Sequence, residues 1–232
     1  MSARCRTKNP SRCRYHGDKY FMTHDENVFF ARRNVVSLIQ RQANLENIAI
    51  TMPDTQEILE NRSITGISMM DAFTVVDLKR AWDFVLTESY RLPVYDDMLA
   101  VNARIGDGGV VPYAGELRSR IVTIGGAPWI PPVPVDSVLR DEFDDIMSSS
   151  QSITMRALDM FCMIAKAQPF NDGNKRTATL MANWMLIHNG AGLLSIPNDR
   201  KHEYGTLLVG YYDSGDDAAL CGFLRTMISG IR

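Results

Sequence analysis

The chain has 232 residues, which admits one domain or two, and its 45% hydrophobic and 22% charged residues allow a real core. A formal net charge of −2 argues against a general nucleic-acid or membrane-surface binder, since neither partner is served by a neutral field. No apolar run approaches the length needed to span a bilayer.

The stretch from Arg4 to Lys19 is polar and basic and lacks the apolar segment of a secretory signal, an expectation that places the protein in the cytoplasm. Cys5, Cys13 and His16 are the sequence's metal-ligand candidates, but their spacing fits no zinc module and a fourth ligand is missing. Residues 1–20 therefore read as a basic flexible tail, and 21–232 as a single helical domain. Cys162 and Cys221 fall in apolar helical patterns and read as small buried hydrophobes.

Helical periodicity runs through most of the chain. Val28, Val35, Leu38 and Ile39 mark a first amphipathic helix. A shorter one is expected from Asp54 to Glu60, with Asp54 and Glu57 as a capping box. Val75, Leu78, Trp82 and Val85 repeat at the spacing of a buried stripe in a segment that starts near Ser68. Residues 118–134 break the pattern: β-branched residues, Gly125-Gly126 and several prolines forbid helix and predict a short exposed hairpin leading into a Pro-rich strap. Leu139, Phe143, Ile146 and Met147 mark the next helix, and Met155, Leu158, Cys162 and Ala165 the one after it. Ala178, Met181, Ala182 and Met185 follow, with Asn189-Gly190 as a stop signal. Two further helices carry Leu207, Leu208 and Tyr211, then Leu220, Phe223, Leu224 and Met227, the second with Asp216 as its N-cap. The predicted class is an all-α bundle with a hairpin flap.

The chemistry concentrates in residues 168–176, Gln-Pro-Phe-Asn-Asp-Gly-Asn-Lys-Arg. A helix ends near Gln168, Pro169 blocks its continuation, and a new helix opens at about Asn174. Gly173 lets the backbone approach a ligand, and the first amides of the new helix form an anion site. Lys175 and Arg176 put cations in the first turn, where the helix dipole disfavours them unless an anion neutralises them. Asp172 is a hard oxygen ligand suited to a Mg²⁺ shared with phosphates. Phe170 is the loop's anchor in the core.

This string resembles the Fic/Doc signature His-x-Phe-x-(Asp/Glu)-(Gly/Ala)-Asn-(Gly/Lys)-Arg through Phe170, Asp172, Gly173, Asn174, Lys175 and Arg176. Gly115-Glu116-Leu117-Arg118, Ile124-Gly125-Gly126 and Trp129-Ile130-Pro131-Pro132 are similar to the family's flap region. The resemblance covers roughly residues 55–196. It implies a helical fold that binds ATP with Mg²⁺ and transfers AMP to a hydroxyl of a target protein. By the same resemblance Asp172 holds the metal, Gly173, Asn174 and Lys175 cradle phosphates, and Arg176 contacts them by charge. Residues 121–126, with Ile121, Val122, Thr123 and Ile124, would align the target segment by strand pairing.

Three positions depart from the family pattern. Its histidine base is Gln168 here, and a carboxamide cannot take a proton from an attacking hydroxyl near neutrality. Neither His188 nor His202 is placed in sequence to replace it. Lys175 stands where AMP-transferring members have glycine, as in the Doc branch that transfers phosphate. Thr179 replaces a second arginine that, in autoinhibited members, pairs with the glutamate of a (Ser/Thr)-x-x-x-Glu-(Gly/Asn) helix. Glu60-Asn61 half matches that motif, with Gln56 at the Ser/Thr position and Thr55 beside it. Three readings follow: an AMP transferase, a catalytically inactive nucleotide-binding partner protein, and a Doc-like kinase.

Overall fold

Four of the helices among the described residues begin where a short polar side chain accepts a first-turn amide. The computed structural model describes residues 17–60, 62 and 66–231, and among these the elements are helical apart from one two-residue strand pair. Thr23 caps α1 (His24–Leu45) and receives a return bond from Glu26, a complete capping box. Ser68 caps α3 (Met69–Glu88) and Ser152 caps α6 (Ile153–Ala167). The remaining helices are α2 (Met52–Leu59), α4 (Tyr95–Ile105), α5 (Asp136–Met147), α7 (Asn174–His188), α8 (Lys201–Ser214) and α9 (Ala218–Thr226). No helix among the described residues is long and apolar enough to cross a membrane.

Three of these differ from the expectation. The capping box of α2 is Thr51 with Asp54, not Asp54 with Glu57, so the helix opens at Met52. Pro53 makes the earlier start possible, because a first-turn residue needs no amide proton. Helix α4 has no counterpart in the sequence pattern. Its buried stripe of Met98, Val101 and Ile105 is interrupted by Asn102, which is itself fully buried. The N-cap of α9 is Asp217, one residue later than expected and without a side-chain cap, while the Asp216 carboxylate accepts from Ala218 N at 3.0 Å.

The core is built on α6 and α7, whose mutual packing is the most extensive in the fold. Both are buried around nearly their whole circumference, Thr154 to Ala165 on one and Arg176 to Ile187 on the other. Helices α1, α3 and α4 pack on α7, while α5 and α9 pack on α6. Leu193–Leu194 (β1) and Ile228–Ser229 (β2) pair antiparallel, Leu194 opposite Ile228, and close the C-terminus over the exit from α7.

Residues 118–134 contain the expected turn, with Ala127 N donating to Ile124 O at 3.2 Å and Gly126 at φ 80°. Its arms are extended but form no ladder, and prolines at 128, 131, 132 and 134 remove the donors that one would need. Arg118 holds the segment instead. Its guanidinium is 1% exposed and donates to the carbonyls of Gln168 (2.6 Å), Arg120 (2.7 Å), Pro132 (2.6 Å), Pro131 (3.3 Å) and Ala167 (3.4 Å). Burial pulls its pKa down, and the negative end of the α6 dipole offsets that cost.

Gly190 and Gly205 make opposite predictions. Gly190 sits at φ 68°, and a Cβ there would lie 1.6 Å from Met22 O. Gly190→Ala should therefore cost more than about 1 kcal/mol in urea unfolding. Gly205, inside α8 with nothing within 4 Å of its added Cβ, should gain about 0.5–1 kcal/mol on replacement by Ala.

Candidate active site

Two left-handed residues bracket the loop between α6 and α7. Gln168 ends α6 at φ 48°, ψ 58°, and Gly173 opens α7 at φ 78°, ψ 6°. For glutamine that conformation is costly, and the surroundings must impose it. Arg118 takes the Gln168 carbonyl from one side, and Arg118 N donates to Pro169 O at 2.9 Å. At Gly173 the positive φ favours glycine, and a Cβ would press on Asn102 Nδ2 at 3.0 Å and Ile105 Cγ2 at 3.2 Å.

Inside the bracket Phe170 is fully buried. Asn174 closes the loop on it: Phe170 N donates to Asn174 Oδ1 and Asn174 Nδ2 donates to Phe170 O, both at 2.9 Å. Asn102 of α4 ties the outside, with Nδ2 donating to Asp172 O (3.1 Å) and Thr177 Oγ1 (3.2 Å) while Oδ1 accepts from Gly115 N (2.9 Å). Sequence reasoning missed Asn102. Its position in a stripe of Met98, Val101 and Ile105 was the signal, a polar residue on an apolar face.

The charged groups divide by exposure. Asp172 is 57% exposed, accepting from Gly173 N at 2.6 Å and from Arg176 Nη2 at 3.0 Å. Arg176 is 6% exposed, and its Nε is buried with no protein acceptor among the described residues. Gly173 supplies no side-chain cap, so the first-turn amides of α7 also lack a side-chain acceptor. An anion at this helix start would satisfy both, which fits a phosphate, and the exposed Asp172 carboxylate beside it fits a hard divalent cation.

Lys175 already has an anionic partner. Glu46 Oε2 lies 3.2 Å from Lys175 Nζ. Glu46 caps the C-terminus of α1, where a carboxylate is as disfavoured by the helix dipole as a lysine is at the start of α7. The two misplaced charges neutralise each other. Glu60, singled out from the sequence, instead pairs with Arg62 at 3.0 Å and accepts from Gln56 Nε2 at 2.9 Å. Both Glu46-Asn47 and Glu60-Asn61 carry the Glu-Asn pair, each with a glutamine four residues earlier. The sequence signal was therefore identical, and the structure brings Glu46 to the loop. Thr179 is turned back onto its own helix, its hydroxyl donating to Lys175 O at 3.0 Å.

At the base position, Gln168 Nε2 donates to Ala165 O at 2.7 Å, which leaves its carbonyl oxygen as an acceptor. No described histidine reaches it. His188 is about 21 Å along α7 from Asn174, bonded to Ser89 O at 2.9 Å, and His202 is exposed on α8. The flap residues alternate in burial, Ile121 and Thr123 exposed, Val122 and Ile124 half-buried. Cys5, Cys13 and His16 lie outside the described residues.

Fold and loop together define a helical domain in which a helix start without a side-chain cap lies beside an exposed carboxylate. Residues 93–186 match the Fic/DOC family. The chain is 27% identical over 193 residues to the protein adenylyltransferase Fic of Aedes aegypti, covering 78% of this chain and 38% of that protein. Its likeness to the protein of the same name from Culex quinquefasciatus is 28% over 176 residues, covering 72% and 35%. The chain thus spans little more than a third of the length of these relatives. Among solved structures, Fic-1 of C. elegans superposes with a TM-score of 0.72 at 20% identity, over 85% of this chain and 62% of that one. A Fic-domain protein of Bacteroides thetaiotaomicron gives 0.71 at 17%, over 89% and 87%.

Asn102→Ala should lower the free energy of unfolding by about 2 kcal/mol, because it strands polar groups on three elements at once. Urea unfolding measures the loss, and faster exchange of the Gly115 amide shows that the outer tie has gone.

Proposed function

We propose that this domain binds ATP with Mg²⁺ and transfers AMP to a hydroxyl side chain of a target protein, the activity its curated relatives are named for. The observation that carries the proposal is the α6–α7 loop, where a buried Arg176 Nε and the uncapped amides of α7 converge beside Asp172. In this reading Gly173, Asn174 and Lys175 cradle phosphates, Arg176 meets them from the buried side, and Asp172 holds the metal. Bound ATP would supply an electrophilic α-phosphorus and pyrophosphate as leaving group. The target's hydroxyl oxygen forms the new bond to that phosphorus as the bond to pyrophosphate breaks.

The chain's own residues determine how well that happens. Gln168 can accept a hydrogen bond from the hydroxyl through its carbonyl oxygen and so aim it. It cannot remove the proton, which must pass to solvent, and the missing base costs about 10²–10⁴-fold in rate. The alternating flap residues Ile121, Val122, Thr123 and Ile124 leave an extended edge on which a target segment could pair. A cytoplasmic setting belongs with this proposal, since it supplies ATP and keeps Cys162 and Cys221 reduced.

Glu46 is proposed as the internal competitor for the phosphate site. Removing its charge releases Lys175 for the nucleotide, so Glu46→Gln should raise Mg²⁺-dependent ATP affinity severalfold in isothermal titration. Glu60→Gln should leave it unchanged, because Glu60 faces Arg62.

Gln168→His tests the transfer itself. An imidazole at this position can act as a base near pH 7, while the phosphate contacts stay as they are. Autotransfer from α-labelled ATP should rise by about 10²-fold or more with similar ATP affinity, the signature of an interaction made in the transition state. Label appearing from the γ-phosphate instead would assign the Doc-like reaction that Lys175 suggests. No gain from either label would make the domain a nucleotide-binding partner protein.

A further inference from the structure

Away from the motif loop the fold brings two thiols and a carboxylate together. Cys162 on α6 and Cys221 on α9 place their sulfurs 3.6 Å apart, both buried, although 59 positions separate them in the chain. Asp217 stands one turn before Cys221 on the same face of α9, and one of its carboxylate oxygens lies within 4.8 Å of both sulfurs. The cysteines are not joined as a disulfide.

Two buried thiols alone would be ordinary small hydrophobes. The carboxylate and the spacing point further. Two thiolates on one tetrahedral ion with metal–sulfur bonds of about 2.3 Å sit about 3.8 Å apart, close to the 3.6 Å separation found here. Rotation of the Asp217 side chain would close the third edge. Asp217 is half-buried, so its side of the cluster is the one nearest solvent. Without an ion the Cys162 thiol stays protonated, its pKa raised by the hydrogen bond to Cys221, by burial, and by nearby Asp217 and Asp159.

We propose that Cys162, Cys221 and Asp217 form a binding site for one thiophilic divalent cation of the zinc class. On binding, each thiol loses its proton to solvent and forms a sulfur–metal bond, while the Asp217 carboxylate adds an oxygen ligand. Soft sulfur donors exclude Mg²⁺ and Ca²⁺, so this site does not compete for the hard cation proposed at Asp172. The ion staples the start of α9 to α6 about 9 Å upstream of Gln168, and so stiffens the helix on which the motif loop hangs.

The test uses the full chain carrying Cys5→Ser and Cys13→Ser, so that thiols of the tail cannot answer for the site. Cadmium added to this protein should give an ultraviolet thiolate-to-metal charge-transfer band that saturates at one ion per chain. Zinc should remove the band by displacement and raise the melting temperature. Cys221→Ala should abolish the band. Asp217→Asn, a change at the edge of the cluster that leaves the core intact, should weaken binding by roughly 10-fold or more. The proposal fails if the parent gives no band at stoichiometric cadmium, or if Asp217→Asn binds as tightly as the parent. It also fails if peroxide oxidises the pair to a disulfide as fast with zinc present as without it.

Discussion

The site depends on one side chain closing one loop. Asn174 pairs with both polar groups of Phe170, so the six residues between α6 and α7 are tied into one unit. Phe170 then fixes that unit in the core, and the two left-handed residues at its ends set the angle at which α7 leaves α6. Everything the loop offers a ligand follows from that angle. The amides of α7 point outward, Asp172 reaches solvent, and Arg176 is held below with one nitrogen unmatched.

The same device recurs in the fold. Asn27 of α1 pairs with both polar groups of Gly192 (3.2 and 2.8 Å), and Asn183 of α7 does so with Leu194 (3.0 and 2.9 Å). A buried carboxamide has a donor and an acceptor side by side, so it can satisfy one backbone residue as a strand neighbour would. These pairs fix the segments entering and leaving α7 in a protein almost without sheet.

Electrostatics around the site is arranged by helix ends rather than by surface pairs. Arg118 is buried and rests on carbonyls at the C-terminus of α6, binding the flap to the motif loop. Glu46 and Lys175 each occupy the helix end where their charge is disfavoured, and their contact across the fold relieves both. A phosphate arriving at α7 would have to compete with that contact.

The sequence by itself determined the helices with strong stripes, the helical class, and the loop from Gln168 to Arg176. Each of those rests on local spacing: apolar residues every three or four positions, a proline that stops one helix, a glycine that starts the next. It also determined that no titrating base stands at Gln168, because residue identity is all that statement needs. Tertiary structure alone decided what is non-local. Glu46 and Glu60 carry the same Glu-Asn pair after the same glutamine, and only the packing of α1 on α7 brings Glu46 to Lys175. Asn102 reads as a blemish in an apolar stripe until Gly115, Asp172 and Thr177 are seen around it. The flap followed the same rule: its turn is set by neighbouring glycines, whereas the anchoring of its arms depends on a guanidinium fifty residues from the carbonyl of Gln168 that it binds.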